Sequence, residues 1–138
     1  FTQTLKIDNF IQDISLEIIT PLRIKKDNVY IRSDQIVLED IVTSIYQRQM
    51  KLLGREFKKF PYLICGDIVS KELQFKELSR YSNRQKTEMK LGGIIGHIMI
   101  KNLNPETYNI LKVGELIGVG KSTVFGLGKI KVNELCLL

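Results

Sequence analysis

Alternating apolar and polar residues near the start of the chain predict a first β-strand. Residues 11–19 are rich in isoleucine, and polar side chains are interleaved among the apolar ones. Such alternation indicates a strand with one face turned toward a core. Pro21 is expected to end or bend this strand, because proline has no backbone N–H to donate. An Asp-Asn pair at 27–28 then marks a turn before a short return strand over 29–31.

A helical periodicity follows and predicts the longest helix of the chain over residues 34–56. Ser33 suits the N-cap position, since its hydroxyl can accept a hydrogen bond from the first turn, where Asp34 lies. Gly54 suits the C-terminal end, where a left-handed residue is common. The apolar residues expected on one face of this helix are Ile36, Ile41, Val42, Ile45, Leu52 and Leu53.

Two long extended stretches come next, over residues 68–82 and 87–100. The polar segment 82–86 between them suits a hairpin turn. Asn104 and Pro105 then predict the start of a second helix, because proline is tolerated at the first helical position and asparagine caps it. Its apolar face is expected to contain Ile110, Leu111, Val113 and Leu116. Residues 124–132 predict the last strand, interrupted by glycine.

The order of elements is strand, helix, strand, strand, helix, strand. Two right-handed crossovers would join these elements into a four-stranded antiparallel sheet with both helices on one face. This is an α+β, ferredoxin-like βαββαβ fold. It hosts many functions, so function has to be argued from particular residues.

The net charge of +6 favours a polyanionic partner, such as nucleic acid or a membrane surface. A basic protein with no such partner is the alternative. Cys65 and Cys136 lie far apart and belong to no C-x-x-C pair, which argues against a zinc site and favours two buried, reduced thiols in a cytoplasmic protein. No apolar run approaches the ~20 residues of a membrane span. No cofactor, metal or membrane is therefore expected.

Residues 114–129 form a glycine-rich basic stretch that contains a Gly-Lys-Ser-Thr run at 120–123. A nucleotide P-loop is excluded because one residue too many separates its glycines and because the order here is helix, loop, strand. A dinucleotide fingerprint also fails on the glycine spacing. Two readings stay open. The backbone N–H groups with Lys121, Ser122 and Thr123 could hold a phosphate, or the glycines could serve only a tight turn and a bulge.

At this stretch the sequence resembles a known family, the CRISPR-associated RAMP endoribonucleases that process precursor crRNA. Residues 119–129 (VGKSTVFGLGK) resemble the C-terminal glycine-rich motif of that family. Residues 20–25 (TPLRIK) resemble its Thr-Pro segment after the first strand. Residues 80–85 (RYSNRQ) and 89–96 (MKLGGIIG) resemble the segment before its last helix. The motifs occur in the same order and at similar spacing, and together they cover residues 14–132.

The resemblance implies two tandem ferredoxin-like domains with a basic cleft between them. It also implies metal-independent cleavage of repeat RNA that leaves a cyclic phosphate or a 3′-phosphate end. In many members the general-base histidine lies in the N-terminal domain, and some members lack it. Residues 1–138 are accordingly expected to be the C-terminal half of a longer two-domain protein, without the catalytic histidine.

The predicted hairpin over residues 82–90, together with Arg80 just before it, carries four cations and one acid, Glu88. Such a hairpin can follow an RNA backbone, although it could also be a solvated tip or, at Arg84 and Gln85, part of a domain interface. An aromatic base-stacking platform is not expected, because the third strand has no aromatic residue. The candidate RNA-binding residues are Arg80, Ser82, Arg84, Gln85, Lys86, Lys90, Gly120, Lys121, Ser122 and Thr123.

The catalytic residues are unknown at this stage. His97, which alternation places on one strand face with Ile95 and Met99, is more readily a structural or surface residue. Tyr81 and Lys121 could assist catalysis. The predicted function is repeat-RNA binding within a precursor-crRNA endoribonuclease, and the alternative is a non-catalytic RNA-binding subunit of a CRISPR effector complex. The expected partners are repeat RNA, the N-terminal domain of the same protein and effector-complex subunits.

Overall fold

The computed structural model describes residues 13–33, 35–56, 59–82, 87–123 and 126–135. The elements within these ranges are, in chain order, β1 (Ile14–Leu22), β2 (Lys25–Lys26), β3 (Val29–Tyr30), α1 (Leu38–Leu52), β4 (Asp67–Lys76), β5 (Ser79–Ser82), β6 (Thr87–Lys90), β7 (Gly93–Lys101), α2 (Pro105–Ile117) and β8 (Ile130–Glu134).

Alternation along β1 places every second side chain in the core. Ile14, Leu16 and Ile18 are buried, whereas the residues between them lie on the opposite face. The strand continues through Pro21 to Leu22, and its register against β7 shifts between Ile18 and Leu22. Pro21 therefore bends the strand and does not end it.

The main sheet has the strand order β4–β7–β1–β8, with every neighbouring pair antiparallel. Helices α1 and α2 both pack on one face of this sheet, where their apolar residues share one core with β1 and β7. This arrangement confirms the predicted ferredoxin-like α+β fold. The short strands β2 and β3 form a separate hairpin, as the Asp-Asn turn at 27–28 predicts. Both turn residues have positive φ.

Helix α1 begins four residues later than its sequence pattern predicts. Its N-cap is Val37, whose N–H donates to the Asp40 carboxylate at 3.3 Å, so the prediction of Ser33 as N-cap is wrong. Asp34 lies outside the described residues. Asp40, the third residue of the helix, thus supplies the half of a capping box that reaches back to the N-cap N–H.

Helix α1 ends at Leu52, four residues before the predicted end at residue 56, and the predicted C-terminal glycine, Gly54, follows it with φ +69°. Gly54 N–H donates to Lys51 O and Arg55 N–H donates to Met50 O. These are the two hydrogen bonds of the Schellman motif, in which a helix ends at a glycine. Leu52 and Leu53 are more than half exposed, because they lie in and beyond the last turn; their prediction as core residues is wrong.

Helix α2 begins as predicted. The Asn104 side chain accepts a hydrogen bond from Thr107 N–H at 3.1 Å, and Pro105 is the first helical residue. Ile110 and Leu111 are buried in the core. Leu116 is 84% exposed, so its prediction as a core residue is wrong.

Two hydrogen bonds tie α2 to the edge strand β8. The Glu115 carboxylate accepts from the Val132 N–H at 2.6 Å, and the Tyr108 hydroxyl donates to Glu134 at 2.6 Å. Burial and, next, the bond to Glu134 raise the pKa of Tyr108 above its usual range. The hydrogen bond to Glu115 satisfies the Val132 N–H on the edge of the sheet. An unpaired N–H there would otherwise favour pairing with another strand.

Gly114 lies where α2 crosses α1, and it allows the two helices to approach closely. A Cβ at this position would lie 2.6 Å from Ile45 Cδ1 and 3.0 Å from Ile130 Cδ1. Gly114, the first glycine of the glycine-rich stretch, is therefore a helix-packing residue and not part of the loop.

Gly114→Ala is expected to lower the free energy of unfolding by about 1 kcal/mol, because the cost of overpacking exceeds the gain in helix propensity. Ile45→Val alone should cost about 1 kcal/mol. In the double variant the two costs should largely cancel, since Ile45→Val removes the Cδ1 atom that the new Cβ meets. Urea denaturation of the four proteins measures this coupling. If the two losses of unfolding free energy simply added in the double variant, the close contact between Gly114 and Ile45 would be contradicted.

The two long extended stretches form two separate strand pairs. β4 pairs with β7, and β5 pairs with β6 in a small hairpin. The predicted strands over 68–82 and 87–100 are thus each broken into two. At the second break, Gly92 packs on the Phe75 ring, and a Cβ on Gly93 would lie 2.6 Å from Leu22 O. The predicted turn residues 83–86 lie outside the described residues.

The last strand begins at Ile130, so its prediction over residues 124–132 is wrong at the start. Gly126 and Gly128 have φ +82° and +75°, which takes the chain out of an extended conformation before β8 begins. Val124 and Phe125 lie outside the described residues.

Candidate functional site

A basic groove of about 640 Å³ lies beside helix α1, on the helix side of the sheet. Its walls are the β2–β3 hairpin, one face of α1 and residues 120–123. Its hydroxyl-bearing residues are Thr43, Ser44, Ser122 and Thr123. Its cationic residues are Arg23, Lys25, Lys26, Arg48, Lys51 and Lys121.

The end of β1 and the residues after it hold the glycine loop, defined here as residues 118–123 and 126–129. Lys121 N–H donates to Arg23 O at 2.7 Å, and Gly128 N–H donates to Pro21 O at 2.9 Å. Lys129 N–H donates to the Thr20 hydroxyl at 2.9 Å. The Thr-Pro segment and the glycine-rich segment, about 100 residues apart in sequence, therefore form one structural unit.

Two glycines of the loop are required by backbone packing. A Cβ on Gly120 would overlap the Arg23 carbonyl oxygen, and a Cβ on Gly128 would overlap the Val119 carbonyl oxygen. Both residues also have φ near +80°, which L side chains rarely adopt. These contacts favour close packing as the reason for the glycines.

Several loop N–H groups already have partners within the protein. Gly118 N–H donates to Gly114 O, Val119 N–H to Gly128 O, and Gly120 N–H to the Ser44 hydroxyl at 2.9 Å. With the bond from Lys121, four successive amides are engaged within the protein, which favours the interpretation that the glycines serve a tight turn over the one in which these amides hold a phosphate. Contacts to an anion would come from the Lys121, Ser122 and Thr123 side chains.

Arg23 connects the loop to the β2–β3 hairpin. Its Nη1 donates to the Ser122 hydroxyl at 3.1 Å, and its guanidinium lies 4.4 Å from the centroid of the Tyr30 ring. Ser122 has φ +65°, a strained conformation for a residue with a side chain. The bond from Arg23 helps to hold it there, with the serine at the rim of the groove.

Few carboxylates oppose the cations of the groove. Asp40 is paired with Lys26 at 3.4 Å and also accepts from the N-cap N–H, whereas Glu39 is exposed. Arg48 donates to Ile117 O, which ties α1 to the end of α2. Lys25, Lys51 and Lys121 are exposed at the groove. Together these residues give the groove the positive charge and hydrogen-bond donors that suit a phosphate-bearing ligand.

Only part of the predicted RNA-binding set lies in this groove. Gly120, Lys121, Ser122 and Thr123 line it. Three further candidates belong to the β5–β6 hairpin by their backbones: Arg80, Ser82 and Lys90. The remaining candidates, Arg84, Gln85 and Lys86, lie outside the described residues.

Several groove residues were not among the residues predicted from the sequence. Arg23 and Lys25 belong to the Thr-Pro segment, which could have drawn attention to them. On α1 the polar positions Ser44, Gln47 and Lys51 are spaced by three and four residues, a helical stripe that the sequence displays. Its relation to the glycine loop depends on the tertiary fold and could not be read from the sequence.

His97 lies on the other face of the sheet, as alternation predicts. It is exposed between Glu17 and Glu72, which lie directly opposite it on the neighbouring strands, and it shares its face with Ile95 and Met99. This open face has no aromatic platform on β7, which agrees with the expectation of a different mode of RNA recognition.

Metal and thiol chemistry find little support in the described part of the chain. No group of three His, Cys, Asp or Glu side chains there could hold a metal ion. Cys65 is a free thiol, half-buried and not buried as predicted; Cys136 lies outside the described residues. No helix in the described ranges is long and apolar enough to cross a membrane.

The fold and the motifs agree with one known family. The model of the family named CRISPR-associated endoribonuclease Cas6 matches residues 16–130, which is most of the chain. The chain belongs to the Cas6 family. The RAMP-endoribonuclease resemblance drawn from the glycine-rich, Thr-Pro and upstream motifs is thereby confirmed. No curated protein matches the chain.

Solved Cas6 structures share the fold at low sequence identity. A Thermus thermophilus Cas6 matches with a TM-score of 0.57 at 13% identity, over 88% of this chain and 53% of that one. A histidine-to-alanine mutant of a Cas6 matches with a TM-score of 0.55 at 18% identity, over 89% and 53%. A chain of a partial Cas6-RT-Cas1–Cas2 complex matches with a TM-score of 0.57 at 17% identity, over 99% and 25%. The chain thus spans about half the length of the first two.

Proposed function

We propose that this chain is the repeat-RNA-binding, C-terminal domain of a Cas6 endoribonuclease that processes precursor crRNA. The observation that carries the proposal is the glycine loop of the family motif, which presents Lys121, Ser122 and Thr123 to a basic groove. A Cas6 product complex is among the solved structures that share the fold. The β5–β6 hairpin, with Arg80, Ser82, Arg84, Gln85, Lys86 and Lys90, is proposed as a second RNA contact.

The proposed reaction is metal-independent cleavage within the repeat. A general base removes the proton of a 2′-hydroxyl, the 2′-oxygen attacks the adjacent phosphorus, and the bond to the 5′-oxygen breaks as that oxygen takes up a proton. The products are a 2′,3′-cyclic phosphate and a 5′-hydroxyl. Lys121 could stabilise the charge that develops on the phosphate.

The general base is proposed to lie in the N-terminal domain of the same protein. His97 is on the open face of the sheet, whereas the basic groove is on the helix side, so the two are poorly placed to act on one phosphate. The related Cas6 chains are about twice as long as the part of them that this chain matches. This length supports a further domain as the partner that completes the site.

Cleavage of labelled repeat RNA by the intact protein in EDTA tests the enzymatic proposal. We expect a product that carries a cyclic or 3′-phosphate end. RNA binding without any product would instead favour a non-catalytic RNA-binding subunit of a CRISPR effector complex, which is the second candidate function. The cytoplasm is the proposed location for either role.

Lys121→Ala and Arg84→Ala are each expected to weaken repeat-RNA binding roughly tenfold, because each loses a charge-assisted contact worth about 1.4 kcal/mol. Filter binding with labelled repeat RNA measures the change. Lys131→Ala, which removes an exposed lysine of β8, is the matched control and should bind like the wild type. Unchanged binding by both test variants would show that these residues are not RNA contacts.

A further inference from the structure

Helix α1 carries a polar stripe that faces the glycine loop across the basic groove. The stripe consists of Asp40, Ser44, Gln47 and Lys51, whose spacing of four, three and four residues places them on one side of the helix. The buried residues of α1 occupy a different face. None of the stripe residues belongs to the family motifs, and none is explained by the packing of the core.

The position of this stripe relative to the loop is fixed by hydrogen bonds. The Ser44 hydroxyl accepts from Gly120 N–H at 2.9 Å, and Arg48 donates to Ile117 O just before the loop begins. Gln47 and Lys51 continue along the helix beyond these anchors and are exposed. The two walls of the groove are therefore held at a set separation before any ligand binds.

The lining of the groove favours a ribose-phosphate backbone. Lys25, Lys51 and Lys121 supply exposed positive charge from three different elements, and the hydroxyls and the Gln47 amide supply hydrogen-bond partners. Among the described residues, the ring of Tyr30 lies beside the groove, and it already has Arg23 at 4.4 Å and Lys25 Nζ at 5.1 Å from its centroid. Contacts to phosphate and sugar, which do not depend on the base, would thus dominate.

The size of the groove favours one strand over two. Its volume of about 640 Å³ lies within the range of small-ligand pockets, about 300–1,000 Å³, and three structural elements line it. One or two nucleotides of a single strand fit such a space, whereas a base-paired stem does not. Charged grooves of this kind typically follow the backbone of single-stranded RNA.

We propose that Gln47 and Lys51 of the α1 stripe, with Lys25, bind the backbone of an unpaired segment of the repeat RNA. This inference rests on the proposed function and deepens it, because it adds a wall of α1 to the RNA-binding surface and assigns it to single-stranded RNA. Lys51 is the residue that tests it best, since its side chain is exposed and makes no contact within the core.

The test uses the intact protein with two labelled probes, an unpaired repeat fragment and a blunt hairpin of the repeat. Lys51→Ala should lower affinity for the unpaired fragment roughly tenfold and lower the salt slope of its binding by about 0.7. Affinity for the blunt hairpin should change less than about twofold, within the scatter expected for a lost remote surface charge. Lys131→Ala, with the same loss of charge on the open sheet face, should affect neither probe.

Any of three results would overturn the inference. An equal loss of affinity for both probes in Lys51→Ala would show that the α1 wall of the groove is not specific to single-stranded RNA. Full binding by Lys51→Ala, alongside weak binding by Lys121→Ala, would remove α1 from the RNA surface and leave the proposed function intact. If the wild-type protein bound neither probe, the proposed function itself would fail. An acidic peptide that competes equally with RNA would also contradict an RNA groove.

Discussion

Replacing Gly128 with alanine is expected to lower the free energy of unfolding by about 3 kcal/mol or more. Gly128 has φ +75°, and a Cβ there would overlap the carbonyl oxygen of Val119. That oxygen cannot turn aside easily, because Val119 N–H is itself bonded to Gly128 O at 2.9 Å. The left-handed conformation and the steric overlap therefore both oppose the substitution.

Gly126→Ala is the matched control. Gly126 has φ +82°, close to that of Gly128, but a Cβ there would meet nothing within 4 Å. Its cost should be only the conformational one, about 1 kcal/mol. Urea denaturation of both variants separates the steric term from the conformational term. Equal destabilisation would mean that the close approach of Val119 and Gly128 is absent.

The glycines of the glycine-rich motif have different structural roles. Gly114 packs two helices together, Gly120 and Gly128 allow backbone contacts, and Gly126 only supplies a conformation. The glycines build the loop, while the side chains of Lys121 and Ser122 face the groove. A motif that resembles a phosphate-binding backbone loop thus serves mainly to set the position of side chains.

The parts of the fold that depend on local sequence were predictable. Alternation identified β1, and the Asn104 and Pro105 pair identified the start of α2, because both signals act within a few residues. The order of elements then left the ferredoxin-like sheet as the natural arrangement. The start of α1 was missed because its N-cap is Val37, which has no polar side chain, and the capping bond runs from the Val37 N–H to Asp40 inside the helix.

The basic groove could be predicted only in part. Lys121, Ser122 and Thr123 were identified from their motif, but Arg23 lies 99 residues before Ser122 and meets it only in the folded chain. The wall formed by α1 depends on the bond between Ser44 and Gly120, 76 residues apart. Long-range contacts of this kind leave no local pattern, so a charge stripe on a helix cannot be distinguished from an ordinary solvated face.

Binding of repeat RNA is expected to weaken roughly 50-fold when salt rises from about 50 to 200 mM, assuming contacts with about four phosphates of an unpaired strand. Each neutralised phosphate releases counterions, so affinity falls as a power of the salt concentration. The exposed cations of the groove and those proposed on the β5–β6 hairpin would supply these contacts. The net charge of +6 is modest, so the effect depends on where the charges lie.

Titration of labelled repeat RNA at several salt concentrations measures this slope. For Lys121→Ala the slope should fall by about 0.7, the change expected for one lost phosphate contact on a single strand. Lys131→Ala should leave it unchanged, because that lysine lies on the open face of the sheet, away from the groove. A wild-type slope near zero would mean that RNA is not held by its phosphates, and the groove would then need a different ligand. A slope that is steep in wild type but unaltered in Lys121→Ala would instead place the phosphate contacts on the hairpin, away from the glycine loop.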